Sequence, residues 1–360
     1  MSTVLEGLMV PVVGAPMAGG PSTVELARAV SGAGGLGVLA GANLTLEALA
    51  ERVEQLRAGV GVGGLFGVNI FLPTAGPDPD DADLAAALAA HLAALDRWAL
   101  RFGVTRGEAR WDDDGWRAKV DWLVEHPVPV VTFHFGTPAR EMVDSLHAVG
   151  TEVWTTVTSR AEAVGAAACG LNALIVQGRE AGGHRGLFTN GADDSVDDEP
   201  GLLALLRLVQ SVTDLPLVAA GGLVHGADVA AVLVAGARAA QLGTAFLLTP
   251  EAGTSAPHRA AVATDRPTAL TRAFSGRPAR AVRNELLDEL TATAPAAYPQ
   301  LNRAAQPVRA ASAAAGDEAA VALWAGQTHH LARALPAGEL VALVTAEARE
   351  AVARVQAALG

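Results

Sequence analysis

Eight short apolar runs, each followed by glycine, proline or polar residues and separated from the next by a helical stretch, predict an α/β fold: a (β/α)8 TIM barrel with a C-terminal helical cap. The runs are rich in valine, isoleucine and leucine instead of alternating with polar residues, as strands buried on both faces require. Aromatics make up only 4% of the chain, and alanine, glycine, valine and leucine dominate, which favours helices packed closely on a sheet over an aromatic-rich sandwich.

In chain order the expected strands are Val10 to Gly14, Leu36 to Leu39, Phe66 to Ile70, Val128 to Phe133, Glu152 to Val157, Ala173 to Val176, Leu217 to Ala220 and Ala239 to Leu242. Between the third and fourth the chain is longer than one helix needs. An alanine-rich helix near Leu84 to Arg101 and a second near Trp116 to His126 are expected there, with Asp112 to Asp114 marking the turn. Asp193 to Glu199 reads as a solvated, charged loop tip. After Thr249 the strand pattern stops, and an alanine-rich helical tail, broken by prolines from Pro257 to Pro307, is expected to the end. The chain thus divides into a barrel over residues 1–250, a helical cap on the substrate side over 251–335, and a terminal segment, 336–360, whose helix Ala337 to Ala358 packs on the barrel.

With 51% hydrophobic residues among 360, the chain has ample material for a large core. Its net charge of -12 argues against a nucleic-acid binder, which needs basic patches, and disfavours anionic membrane surfaces. Glycine, charge or polar residues interrupt every apolar stretch well before the ~20 residues of a membrane span, and no basic-then-apolar leader opens the chain. A soluble, cytoplasmic protein is expected. Cys169 is the only cysteine, so no intrachain disulfide is possible; its place before the sixth strand suits a small core residue, not a nucleophile.

The stretch QGREAGGHRG, Gln177 to Gly186, places His184 in a glycine-rich loop directly after the sixth strand. Loops at the carboxyl ends of parallel strands collect ligands, and an imidazole with an ordinary pKa of about 6.5 exchanges protons near neutral pH. His184 is therefore the candidate acid/base, against the competing reading of a loop histidine satisfied by carbonyls. Gly221 and Gly222 follow the seventh strand, and Gly243 and Thr244 follow the eighth, the two loops where such barrels bind phosphate through backbone amides. Either pair alone reads as ordinary turn chemistry, whereas both together favour an anion site. No GxGxxG stands at a strand-to-helix turn of a first βαβ unit, and no GxxxxGK[ST] or GxSxG occurs, so Rossmann, Walker and hydrolase sites lack support.

Met17, in APMAGG, offers a soft side chain to a flat ring, and the amides of Asn69 and Gln177 at strand ends offer polar atoms to the edge of a flavin or nucleobase. His134 is a second candidate proton carrier if the register turns it to the barrel mouth. His225 reads as a helix cap, and His329 and His330 lack ligand partners at a recognisable spacing, so no metal is expected.

At these residues the sequence resembles the nitronate monooxygenase family, formerly called 2-nitropropane dioxygenases, and within it the bacterial class I enzymes more than the related flavin-dependent enoyl-thioester reductases. The resemblance runs over nearly the whole chain through APMAGGPST, AVSGAGGLGVLAG, FGVNIFLP, TFHFGTP, QGREAGGHRG, AAGGL, QLGTAFL, YPQLNRAAQPVRAA and LWAGQ in that order. It implies FMN held by Asn69, Gln177, Gly182, Gly222 and the run Gln241, Leu242, Gly243 and Thr244, beside the Met17 and Gly221 of the residue-level reading. It also implies that His184 is the catalytic histidine, and that an alkyl nitronate is converted with O2 into a carbonyl compound and nitrite. Family members often place tyrosines around the substrate; this chain has only Tyr298, so a differently shaped pocket is expected. The expected partners are a small nitronate or related carbon acid and O2, without nucleic acid or membrane, and with homodimerisation left open. An enoyl-thioester reductase on the same fold and a non-catalytic phosphate-ligand barrel remain as alternatives. An IMP dehydrogenase-like reaction fits less well, since the loop after the sixth strand lacks a cysteine.

Overall fold

Both faces of the barrel strands are buried, which is why their sequences lack polar alternation. The computed structural model describes residues 3–74, 81–191 and 200–360. Its strands, in chain order, are β1 (Val12–Gly14), β2 (Gly37–Ala40), β3 (Phe66–Phe71), β4 (Val130–His134), β5 (Glu152–Val157), β6 (Ala173–Gln177), the two-residue β7 (Gly183–His184), β8 (Leu217–Ala220) and β9 (Ala239–Leu242). All but β7 form one parallel sheet in the order β1-β9-β8-β6-β5-β4-β3-β2. A parallel bridge between Val13 and Leu36, with Gly14 N donating to Leu36 O at 2.8 Å, joins its two end strands and closes the barrel. Inward side chains such as Val13, Leu36, Trp154 and Ile175 fill the interior, and Val4 of the short helix α1 (Thr3–Gly7) packs into the same cluster. Glu152 ties that floor together, accepting from Val4 N at 2.9 Å and Trp154 Nε1 at 3.0 Å.

The expected strands all occur, three with the expected bounds and the others with ends displaced by one or two residues. The fourth begins at Val130, beyond Val128, because Pro129 between them has no N–H for the ladder, and it runs on through His134. The barrel helices are α2 (Val24–Gly32), α3 (Leu46–Val60), α5 (Trp116–Glu125), α6 (Arg140–Ala148), α7 (Arg160–Ala167), α8 (Leu202–Gln210) and α9 (Gly226–Val234). Thr23, Thr45 and Ser159 cap the first, second and fifth of these by accepting backbone amides. His225 stands at the N-cap of α9, where its amide donates to Asp228 at 2.8 Å. Cys169 follows α7 and is half-buried. The charged tip Asp193 to Glu199 lies outside the described residues.

The cap departs from the all-helical tail expected after Thr249. Alongside α10 (Ala256–Val262), α11 (Glu285–Leu290) and α12 (Gln300–Ala314), it contains the antiparallel pair β10 (Thr268–Thr271) and β11 (Ala279–Val282). Their sequences, TALT and ARAV, are too short and too alanine-rich to stand out as strands. The cap core also recruits α4 (Ala82–Arg101), inserted between β3 and α5. Leu95 and Trp98 of α4 pack with Phe274, Leu286, Leu301 and Val308. The last helix, α13 (Ala337–Leu359), lies against α9 and α2. Among the described residues no helix is long and apolar enough to cross a membrane.

Two buried histidines pin this arrangement. His91 of α4 meets Ala273 O, and His258 of α10 meets Trp324 O, each through Nε2 at 3.0 Å. Burial holds both below the ordinary imidazole range, His258 at about 4. As pH falls below about 6.5, the unfolded chain takes up protons that these folded imidazoles refuse, so stability falls with pH until their own lowered pKa values are reached. Melting curves at intervals between about pH 7 and pH 5 are expected to show a falling Tm, and His258→Gln to show a shallower fall. Identical slopes for the two proteins would rule out a His258 contribution.

Candidate active site

The loop after β6 takes its shape from Gln177. The Gln177 Oε1 accepts from Arg185 Nη1 and from Gly186 N, both at 2.9 Å, while its Nε2 donates to His184 O at 3.0 Å. Arg185, itself fully buried, also donates to Gly178 O at 2.7 Å and Gln177 O at 3.0 Å. The amide of Gln177 is thus committed within the protein, and the side chain lines the site as a clamp. Gly182 packs so tightly against the cap that a Cβ there would lie 2.5 Å from Ala325 C and Gly326 N. Beyond it the chain straightens into β7, which pairs with β11 in the register His184 opposite Ala279 and Gly183 opposite Arg280.

His184 consequently stands on a short strand between barrel and cap. Its Nε2 lies 2.9 Å from Ser275 Oγ, and Ser275 Oγ lies 3.2 Å from Arg277 O. Phe71, Phe135, Tyr298 and Trp324 surround the imidazole at ring-centroid distances of 6.2, 5.7, 5.7 and 5.6 Å. Burial among these rings, followed by the neighbouring imidazole of His134 and the charges of Arg277 and Arg309, holds its pKa well below the ordinary value. His134, at the end of β4, reaches the same mouth, with Nε2 3.4 Å from His184 O. Burial and then Arg277 lower its pKa to about 3, so it is neutral at physiological pH. Phe135 has a left-handed φ of 72°, and the guanidinium of Arg277 stacks 3.8 Å above its ring.

A cavity of about 700 Å3 extends from His184 across the carboxyl ends of the strands. Met17, Asn69, Gln177, Gly182, Gly221, Gly222, Gln241, Gly243 and Thr244 all line it, together with His134 and His184. Leu242 does not: its side chain is buried in the outer core between strands and helices. Strand alternation explains this, since neighbours Gln241 and Leu242 point to opposite faces. The Nδ2 of Asn69 is committed to Thr132, whose O and Oγ1 lie at 3.2 and 2.9 Å, leaving Oδ1 as the atom available to a ligand. Thr244 Oγ1 accepts from Gly326 N at 2.9 Å and keeps its own proton for another acceptor. Gly221 and Gly222 adopt positive φ values of 114° and 71°, which turn the backbone in a way a side chain would resist.

Several groups in and around this site carry no local sequence signal. Ser275 is separated from His184 by 91 positions and reaches it only because β7 and β11 pair. The cavity face of α12 contributes Asn302, Arg303, Gln306 and Arg309, and Trp324 comes from the segment beyond that helix. Helical spacing would have grouped these α12 residues, but nothing in the sequence says which face of that helix meets the barrel.

Comparison with known proteins agrees with this architecture. The family model described as nitronate monooxygenase matches residues 2–347. A nitronate monooxygenase of Paraburkholderia phytofirmans is 37% identical over 97% of this chain and 94% of its own length. A nitronate monooxygenase of Pseudomonas aeruginosa is 38% identical over 96% and 98%, respectively. Among solved structures, nitroalkane oxidase from Streptomyces ansochromogenes superposes with a TM-score of 0.93 at 44% identity, covering 98% of this chain and 100% of that one. FabK from Thermotoga maritima superposes with a TM-score of 0.76 at 25% identity, covering 99% and 97%. The chain belongs to the nitronate monooxygenase family.

Proposed function

We propose that the protein is an FMN-dependent nitronate monooxygenase that converts alkyl nitronates, propionate 3-nitronate among them, with O2 into a carbonyl compound and nitrite. The observation carrying this reading is His184: one ring nitrogen is anchored by Ser275 and the other has no partner among the described residues, in a cavity whose described lining holds no aspartate or glutamate. Such a cavity favours a substrate anion, and an imidazole on its wall is placed to take up or return a proton.

The lining fits FMN. Gln241 presents a buried Oε1 with no partner among the described residues, an acceptor suited to a ring N–H or a ribityl hydroxyl. Asn69 Oδ1 and the proton of Thr244 Oγ1 add polar atoms. The turns at Gly221–Gly222 and Gly243–Thr244 suit the phosphate, and Met17 suits the face of the ring system. FMN bound there would supply the electron-transfer chemistry of the reaction.

The residues of the chain supply position and proton handling. In the tautomer carrying its proton on Nε2, His184 donates to Ser275 Oγ, and Ser275 donates onward to Arg277 O. Nδ1 then holds the lone pair. A neutral nitroalkane gives its α-proton to this atom, while a preformed nitronate enters without needing that step. The surrounding rings limit water around the imidazole and help keep it neutral, the form required for a base.

The decisive assay is aerobic turnover of propionate 3-nitronate by FMN-loaded protein without NAD(P)H, following nitrite release and O2 uptake. Both are expected. Reduction of an enoyl thioester by NAD(P)H with no nitrite from nitronate would replace this reading with the reductase, and failure to take up FMN would overturn both.

Replacing His184 by asparagine should leave FMN bound and lower kcat/KM for a neutral nitroalkane on the order of 100-fold or more, with a smaller loss for the preformed nitronate. Equal losses would remove the proton-abstraction role. The lowered pKa of His184 also sets a sign for pH dependence. The neutral base persists as pH falls through 6.5, so the acid limb for nitroalkane turnover should lie below that value and move upward in Ser275→Ala only if Ser275 helps keep the imidazole neutral. A wild-type limb at or above 6.5 would contradict the neutral-base assignment.

A further inference from the structure

We infer that Arg309 binds a second anionic group, a carboxylate, on the tail of the substrate and thereby selects among nitronates. This deepens, and rests on, the nitronate reading above.

The cavity face of α12 carries two cations, Arg303 and Arg309, with different surroundings. Arg303 is neutralised by two carboxylates: Nε and Nη2 reach Asp112 at 2.9 and 2.7 Å, and Nη2 reaches Asp114 at 3.3 Å. Arg309 has no such partner among the described residues. Its Nη2 donates to the carbonyl and side-chain oxygens of Asn302, both at 3.0 Å, and its Nε and Nη1 meet no protein acceptor among the described residues. A cation placed away from bulk water is ordinarily paired with an anion, and leaving one unpaired costs stability. Burial pushes the Arg309 guanidinium down to about 10, which still leaves it charged at neutral pH.

The position of this cation points to the substrate. Arg309 lines the same cavity as His184, and its charge is among those that lower the His184 pKa. The glycine turns suited to a phosphate are lined by other residues, with Thr328 Oγ1 on Gly222 O at 3.0 Å and Gly326 N on Thr244 Oγ1 at 2.9 Å. The Nε and Nη1 N–H groups that Asn302 does not use can donate to a carboxylate, a charge-assisted contact. A nitronate reacting beside His184 already carries one negative charge; a carboxylate a few bonds away would meet Arg309 as the second.

The test compares propionate 3-nitronate with 1-butyl nitronate, alike in tail length but differing in the tail charge, on FMN-loaded protein. Arg309→Met should lower kcat/KM for the carboxylate substrate on the order of tenfold to a hundredfold, mainly through KM, and leave the neutral-tail substrate within about twofold. Arg309→Lys, which keeps the charge but not the guanidinium's set of donors, should recover part of the preference and shows that loss in the Met variant is not misfolding. An equal fall for both nitronates would overturn the inference, since Arg309 would then serve the nitronate group or the fold. Loss of FMN retention with the preference intact would also overturn it, assigning the arginine to phosphate. Binding of succinate and butyramide, measured by titration calorimetry, separates the subsite from the oxidation chemistry. Arg309-dependent binding of succinate alone supports the subsite even if no nitronate is turned over, and Arg309-independent binding of both refutes it even if nitronates are.

Discussion

The site depends on one buried clamp. Gln177 ends β6 inside the barrel wall, and from there its side chain binds the backbone or side chains of three later residues, His184, Arg185 and Gly186. A glycine-rich loop has a large conformational entropy to lose, so a single geometry needs several such bonds. Hydrogen bonds involving a charged partner, as from Arg185, contribute roughly 1.5–3 kcal/mol each, enough to favour one arrangement over many. With the loop held at both ends, Gly183 and His184 become a strand that pairs with the cap, and the barrel and cap are joined at the residue proposed for proton transfer.

The electrostatics of the cavity run against those of the whole chain. The chain has a net charge of -12, yet the described lining of this cavity holds arginine and histidine and no carboxylate. Asp112 and Asp114 are both engaged with Arg303, with Asp114 also bound to buried Lys119 at 2.8 Å. The remaining positive field lowers the His184 pKa and, on the proposed reading, attracts the substrate anion. These effects reinforce each other. A neutral imidazole can accept a proton, while nearby arginines hold the negative charge that deprotonation creates, so the base need not itself carry the stabilising charge.

Much of the barrel was legible because burial on both strand faces leaves a simple signature: short aliphatic runs, such as Ala173 to Val176, bounded by turn residues. The glycine loop around His184 was legible for a related reason, since functional loops follow such strands. Side-chain direction was not legible. Leu242 belongs to a plausible motif but points into the core, and Gln177 lines the cavity with its amide already engaged inside the protein. The small sheet formed by β7, β10 and β11 was invisible because none of its strands is long enough to show a period. Ser275 and Arg309 were missed together with it, since each acquires meaning only after distant segments are brought against the loop and the barrel mouth.

The division of labour between barrel and cap also bears on how selectivity is built. The barrel supplies the glycine turns, Asn69, Gln241 and the His184 loop, while α12 and Trp324 close the other side. Of the four rings described around His184, that of Tyr298 carries a hydroxyl, while Phe71, Phe135 and Trp324 present apolar ring surface. Apolar walls separate substrates differing by a methylene only weakly, whereas a fixed charge discriminates strongly between tails that can and cannot pair with it. An arginine with no carboxylate partner among the described residues therefore suits the pocket better to sorting substrates by charge than by chain length. Because that arginine stands on a cap helix, its replacement can change preference without disturbing the clamp that holds His184.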